Sequence, residues 1–170
     1  MKPLDTNVSK HPIFIMLVGP PGVGKSTWCK EKLNDFLPTG TIVRVSSDDY
    51  IEEVATKEGK TYTEVFQSAI KYASDASKKA FQDALSNNHH IVWDQTNLSA
   101  KKRKGILNQL PASYTTVCIY WEIKNEAQWK KQLVRPGKTI PQGVLDSMLD
   151  NYAYPDHNEG WNVIYKEIVK

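Results

Sequence analysis

The feature that most constrains this chain is the octet Gly19-Pro20-Pro21-Gly22-Val23-Gly24-Lys25-Ser26, set between an apolar run and a helical pattern. Pro12 to Val18 (PIFIMLV) is continuously apolar and rich in branched residues, as a strand buried on both faces of a parallel sheet requires. Lys25 to about Leu37 has the pattern of a helix, with Pro38 and Gly40 to stop it. A glycine-rich turn between a strand and a helix points successive backbone N–H groups inward, and the helix N-terminus adds its own to form an anion cradle. Gly22, Val23 and Gly24 supply the turn. Lys25 is placed to reach β- and γ-phosphates, Ser26 to offer a hydroxyl to magnesium, and Thr27 to add a bond to the α-phosphate. Trp28 and Cys29 are expected in the core.

The remainder of the chain alternates strands with helices. Thr41 to Ser46, His90 to Trp93, Tyr114 to Trp121 and Trp161 to Ile168 are strand candidates. Thr61-Tyr-Thr-Glu64 is a capping box that opens a long helix, with Tyr62, Val65, Phe66, Ala69, Ala73, Ala76, Ala80 and Ala84 along one face and Asn87-Asn88 at its end. Further helices are expected from Ser99 to about Leu110 and from Asn125 to Val134. Another begins at Pro141 and carries Val144, Leu145, Met148 and Tyr152 inward. This order predicts an α/β fold: a mostly parallel sheet of about five strands flanked by helices, plus a lid. With 170 residues, no internal repeat and no linker, a single domain is expected, with residues 1–11 as a loose lead-in.

Charge and cysteine usage narrow the setting. The net charge is +3, yet Ser99 to Lys138 carries +7 and the rest −4, a distribution that would attract a polyanion or merely solvate helix faces. Cys29 and Cys118 form no disulfide framework and read as two reduced thiols. No window has the length of apolar sequence a membrane span needs, and the start lacks a signal-peptide core. A cytoplasmic location is therefore expected.

In open α/β sheets, reacting groups gather beyond the carboxyl ends of the strands. Asp48-Asp49 follows the second strand and Asp94 ends the third. Transfer to a hydroxyl needs a carboxylate to orient it and accept its proton, and a second acid commonly serves magnesium or its waters. Asp48 or Asp49 suits the first task and Asp94 the second. Structural readings compete: Asp49 as a cap for a helix from Tyr50, and Asp94 in a turn with Thr96. Arg135, in the helix break Arg135-Pro136-Gly137-Lys138, is placed on a mobile loop able to close over ATP and neutralise charge on the transferred group.

Taken together, Gly-x-Gly-Lys-Ser-Thr-Trp, Asp-Asp-Tyr, Asp-x-Thr-Asn-Leu and Arg-x-x-Lys-x-Ile-Pro with Val-Leu-x-Ser-Met resemble the kinase domain of phage-type 5′-hydroxyl polynucleotide kinase, from about Phe14 to Tyr152. The resemblance implies an adenylate-kinase-like fold with the acid-bearing third strand beside the phosphate-loop strand. It implies transfer of the γ-phosphate of ATP to the 5′-hydroxyl end of DNA or RNA, with Asp48 as base, Asp94 as the acid of the third strand and Arg135 as the lid arginine. Acceptor contacts are assigned to Asp49, Thr96, Asn97, Lys101 and Arg103. Two family arginines around the acidic pair are replaced by Ser47 and Ile51, while Lys101-Lys102-Arg103-Lys104 offers another basic contact to a nucleic-acid backbone. The companion phosphatase's Asp-x-Asp pair is absent, so a separate phosphatase or ligase is expected in the same pathway. The runner-up acceptors are a nucleoside, a nucleotide sugar or a hydroxymethylated base in DNA. A nucleotide-switched regulatory module fits less well, because no Asn-Lys-x-Asp motif is present.

Overall fold

The structure, a computed structural model, describes residues 11–37 and 39–169. The first ten residues of the expected lead-in and Pro38 lie outside the described residues. The first strand, β1 (Ile13–Val18), is buried throughout, and its alternation divides the molecule. Ile13, Ile15 and Leu17 face one apolar cluster with Trp28, Phe36 and Trp129. Phe14, Met16 and Val18 face another with Phe81, Trp93 and Tyr114. A strand that serves two cores cannot carry a polar residue on either face, which explains its unbroken apolar sequence.

After β1 come α1 (Lys25–Phe36), β2 (Ile42–Val45), α2 (Ser47–Glu58), α3 (Tyr62–Ser86) and β3 (His90–Asp94). They are followed by α4 (Ala100–Leu107), β4 (Thr115–Glu122), α5 (Glu126–Gln132), α6 (Gln142–Asp150) and β5 (Val163–Ile168). The sheet order is β2-β3-β1-β4-β5, and all four pairings are parallel. The expected neighbour relation of β3 and β1 is present, with Leu17 opposite Asp94 at the carboxyl end. The chain direction across the sheet reverses at β1, so the crevice beyond its carboxyl end is the natural place for a ligand.

The Thr61–Glu64 capping box forms in full: Thr61 N–H donates to Glu64 Oε2 at 2.7 Å, and Glu64 N–H donates back to Thr61 Oγ1 at 3.3 Å. The buried stripe of α3 departs from expectation in its second half, running through Ser77 and Phe81 rather than Ala76 and Ala80. The Phe81 ring is the cause. It packs edge-on to Phe14 and Trp93, with centroids 6.2 and 5.1 Å away, and turns that part of the helix toward the sheet. On α6, Val144 is exposed, contrary to expectation, while Leu145 turns in. The helix expected from Tyr50 begins instead at Ser47, because the Ser46 hydroxyl accepts from Asp49 N–H; Asp49 is not the cap. Asp48 and Asp49 both lie in the first turn of α2, where the helix dipole favours negative charge.

Arg103 corrects the expected acceptor strip. It is the only residue of α4 that is fully buried, and its guanidinium is spent on the protein itself. Nε donates to Glu159 Oε2 at 2.8 Å, Nη1 to the carbonyls of Asn97 and Leu98 at 2.9 and 3.0 Å, and Nη2 to Glu159 Oε1. Helical spacing makes this unavoidable: with Lys101, Lys102 and Lys104 exposed, the residue between them faces the core. Arg103→Met should therefore act on stability, costing about 3 kcal/mol by stranding the nearly buried Glu159 carboxylate. Chemical denaturation checks this, and an unchanged midpoint would refute the pairing's importance.

Candidate active site

The phosphate loop is shaped by glycine and held from outside. Gly22 and Gly24 take φ values of +79° and +110°, a region that side chains rarely enter. A Cβ on Gly22 would also stand 2.9 Å from the Leu133 side chain. Gly24 is the N-cap of α1 and has no side chain with which to cap it, so the first amides of the helix are left for an anion. Four polar contacts with other elements fasten the β1 end and the loop. The Gly19 N–H reaches Thr96 O at 2.9 Å, and Asn97 Nδ2 reaches Leu17 O at 2.7 Å. Trp129 Nε1 reaches Pro21 O at 2.7 Å, and the Tyr152 hydroxyl lies 3.0 Å from Val18 O.

These contacts reassign Asn97, one of the residues expected at the acceptor. Asn97 is buried in the left-handed conformation, accepts from the Trp93 indole and braces β1. Thr96 meets the loop through its backbone carbonyl. The Asn97 side chain turns toward the protein because the β3–α4 connection passes beside the end of β1, within reach of the Leu17 carbonyl.

Lys25 folds back onto its own loop, donating from Nζ to Gly19 O at 2.7 Å and Pro20 O at 2.9 Å. Burial pushes its pKa down to about 8, with Asp94 and Asp48 pulling the other way and Lys138 and Arg135 adding to the fall. A cation held in this way by two backbone carbonyls of its own loop is primed to exchange them for phosphate oxygens. Ser26 and Thr27 are exposed, whereas Val23 is buried and can offer the cradle only its backbone.

A cleft of about 380 Å³ brings Lys25, Ser26, Asp48, Asp94 and Arg135 together. Asp48 and Asp49 both border it, but in different states. Asp48 Oδ1 accepts from the Tyr62 hydroxyl and Oδ2 from Lys138 Nζ, each at 2.7 Å. Burial raises its pKa, but these two hydrogen bonds and the charges of Lys138 and Lys25 outweigh it and hold the carboxyl below its usual range. Asp49 is bound by Arg44 Nη1 at 2.6 Å. Arg44 also holds Asp94, with Nε 2.9 Å from Oδ2 and Nη2 on the same oxygen. Lys101 is exposed on α4 and is not among the residues that line this cleft.

Arg44, Tyr62 and Lys138 contribute to the site beyond the residues singled out for chemistry. A signal for Arg44 existed: it is the single charge within an otherwise apolar strand, Ile42-Val43-Arg44-Val45. Tyr62 read as one more residue of an apolar stripe, and Lys138 as part of a helix break.

The residues present fit magnesium. Among the described residues no group of three His, Cys, Asp or Glu could cage a metal by itself. Ser26 and Asp94 border one cleft beside the phosphate cradle, the sparse donor set that suits an ion completed by phosphates and water. No helix among the described residues is long and apolar enough to cross a membrane.

Residues 14–155 match the AAA domain family. The L-seryl-tRNA(Sec) kinase of Methanococcus maripaludis is 27% identical over 161 residues, 89% of this chain and 56% of that protein, so the chain spans little more than half of this curated relative. Among solved structures, one from the PezAT chromosomal toxin–antitoxin system of Streptococcus pneumoniae superposes with a TM-score of 0.60 and 19% identity, over 93% of this chain and 70% of its own. A chain of the Pnkp1/Rnl/Hen1 RNA repair complex gives 0.59 and 18%, over 84% of this chain and 44% of its own. At such identities the likeness to the solved structures is one of fold. Because the match runs from within β1 to beyond α6, the chain belongs to the AAA domain family and has the α/β fold of the P-loop kinases.

Proposed function

We propose that this protein is an ATP- and magnesium-dependent phosphotransferase that moves the γ-phosphate to the 5′-hydroxyl end of DNA or RNA. The observation that carries the reading is the meeting, in one cleft, of a phosphate-loop lysine and a carboxylate from the end of a neighbouring strand. Lys25 would leave the Gly19 and Pro20 carbonyls for the β- and γ-phosphates. Ser26 and Asp94 would hold magnesium, which when bound neutralises charge on those phosphates. Asp48 orients the attacking hydroxyl and takes its proton, and Arg135, exposed at the cleft, offsets charge on the transferred group. Thr27 supports the α-phosphate.

A second reading keeps the chemistry and changes the acceptor to a hydroxyl carried on a charged tRNA; the 27% identity to a seryl-tRNA kinase favours it. Both readings place the hydroxyl on a nucleic acid, in keeping with the exposed lysines of α4. Within an end-repair pathway, a separate phosphatase or ligase would act beside this protein.

Labelled ATP offered with 5′-hydroxyl oligonucleotides, seryl-tRNA, nucleosides and hydroxymethylated DNA separates the acceptors. With the preferred oligonucleotide, Lys101→Ala combined with Lys104→Ala should raise KM. It should also flatten the dependence of log affinity on log salt by about 0.7 per lost phosphate contact, leaving KM for ATP unchanged. A nucleoside as the best substrate, indifferent to salt, would end the nucleic-acid reading.

A further inference from the structure

The lid and α3 meet on one carboxylate. Asp48 gives Oδ1 to the Tyr62 hydroxyl of α3 and Oδ2 to Lys138 of the lid. Lys138 Nζ also stands 3.9 Å from the centre of the Tyr62 ring, so the three groups touch pairwise. An exposed ion pair adds little to stability, but this one is built differently: the Lys138 side chain is only 13% exposed while Asp48 remains 56% exposed to the cleft. The lysine is packed away, and the carboxylate is presented.

Lys138 reaches Asp48 from a turn that is itself seated. Arg135 and Lys138 pair across the turn as an antiparallel bridge. Gly137 O accepts from Thr63 N–H at 3.3 Å, and Thr139 N–H donates to Thr63 Oγ1 at 3.1 Å. Gly137 has φ +73°, and a Cβ there would press to 3.3 Å from Thr61. The two cations of the turn therefore have different company: Arg135 borders the cleft at the phosphate loop, and Lys138 grips the carboxylate.

We propose that Tyr62 and Lys138 are positioning residues for the acceptor base, and that Lys138 makes the readiness of Asp48 depend on the lid being seated on α3. The inference rests on the reading of Asp48 as base. A carboxylate with one donor on each oxygen cannot rotate freely, yet each oxygen keeps a second acceptor site for a substrate hydroxyl. The charged and titratable groups that share the cleft with Asp48 or contact it include Lys138 and Arg135 from the lid, Tyr62 from α3, Lys25 from the phosphate loop, Arg44 from β2 and Asp94 from β3, with Asp49 and Glu52 on its own helix. Lys138, Tyr62 and Lys25 favour the ionised form, while burial opposes it. Such a base orients more than it pulls, which suits a loose phosphoryl-transfer transition state that asks for little proton removal before attack. Unseating the lid withdraws Lys138, and Asp48 loses both a fixed direction and a charge that keeps it ionised. Donor and acceptor sides are then linked through Arg135, Lys138 and Asp48.

The test follows the Asp48 carboxyl carbon by ¹³C NMR titration of the whole, nucleotide-free protein, in wild type, Tyr62→Phe and Lys138→Met. Each substitution removes a donor to the ionised form, so each should move the titration midpoint upward by about one pH unit. The acid limb of kcat on a 5′-hydroxyl oligonucleotide should move in the same direction, with kcat lowered about tenfold and KM for ATP within about twofold of wild type. Lys138→Arg should restore most of both. Tyr62→Phe keeps the ring and its stacking, so loss of fold does not confuse the result. A midpoint unmoved in both variants overturns the proposal, as does a lowered kcat whose acid limb stays in place. The titration needs no acceptor, so a failed acceptor panel counts against the acceptor reading and leaves the midpoints to decide this one.

Discussion

Lys25→Ala should abolish phosphoryl transfer while the protein remains folded. Among the described residues the ammonium hydrogen-bonds to two carbonyls of its own loop and ties no distant elements together. Removing it takes away the fixed charge on the β- and γ-phosphates, and the loss in kcat should exceed about 10³-fold, with weaker ATP binding. Single-turnover transfer and circular dichroism measure the two halves of the claim. Turnover within about tenfold of wild type would mean that this loop is not the reacting site. Stability carries its own signature. The lysine loses its proton near pH 8 in the folded chain but keeps it up to the ordinary 10.5 when unfolded. Between those values the unfolded chain binds more protons, so stability should rise with pH across that window. Lys25→Ala should lack this rise.

Asp48→Asn should lower kcat by about 10³-fold, within the 10²–10⁴ range of acid–base groups, and leave ATP affinity nearly unchanged. The amide keeps the shape but cannot take a proton, and it offers Lys138 no charge. Asp49→Asn should be much milder, because Asp49 is committed to Arg44 at the edge of the cleft. Comparing the two variants under saturating ATP decides between neighbours that the sequence left as alternatives. A severe Asp49→Asn beside a mild Asp48→Asn would reverse the assignment.

The parallel sheet and the phosphate loop were legible because each is written locally. β1 is unbrokenly apolar since both its faces are buried, and the loop needs glycine where φ is positive. The acceptor side was harder to read, for one recurring reason: a side chain's direction depends on what packs beneath it. Arg103 stands among lysines in the sequence but points opposite to them, toward Glu159. Asn97 sits in a motif that reads as substrate contact, yet it is spent on the Leu17 carbonyl. Arg44 joins Asp49 to Asp94 across 45 residues of chain, a pairing that no local pattern encodes. Residues whose role is set by their own backbone can be read from a string, whereas those whose role is set by a partner far along the chain require the fold.

The four polar contacts that fasten the end of β1 and the phosphate loop are made with the β3–α4 connection, α5 and the segment after α6. Such a cradle is stiff before any ligand arrives, so little ordering entropy remains to be lost when the nucleotide binds. The acceptor side is assembled differently, from partly exposed side chains on α2, α3 and the lid, few of which support the core. Substitutions there alter what is received without loosening what is given. Over evolutionary time, one fixed donor end could thus serve successive acceptors, each reached by changing a handful of surface residues while the fold and its grip on triphosphate stay the same.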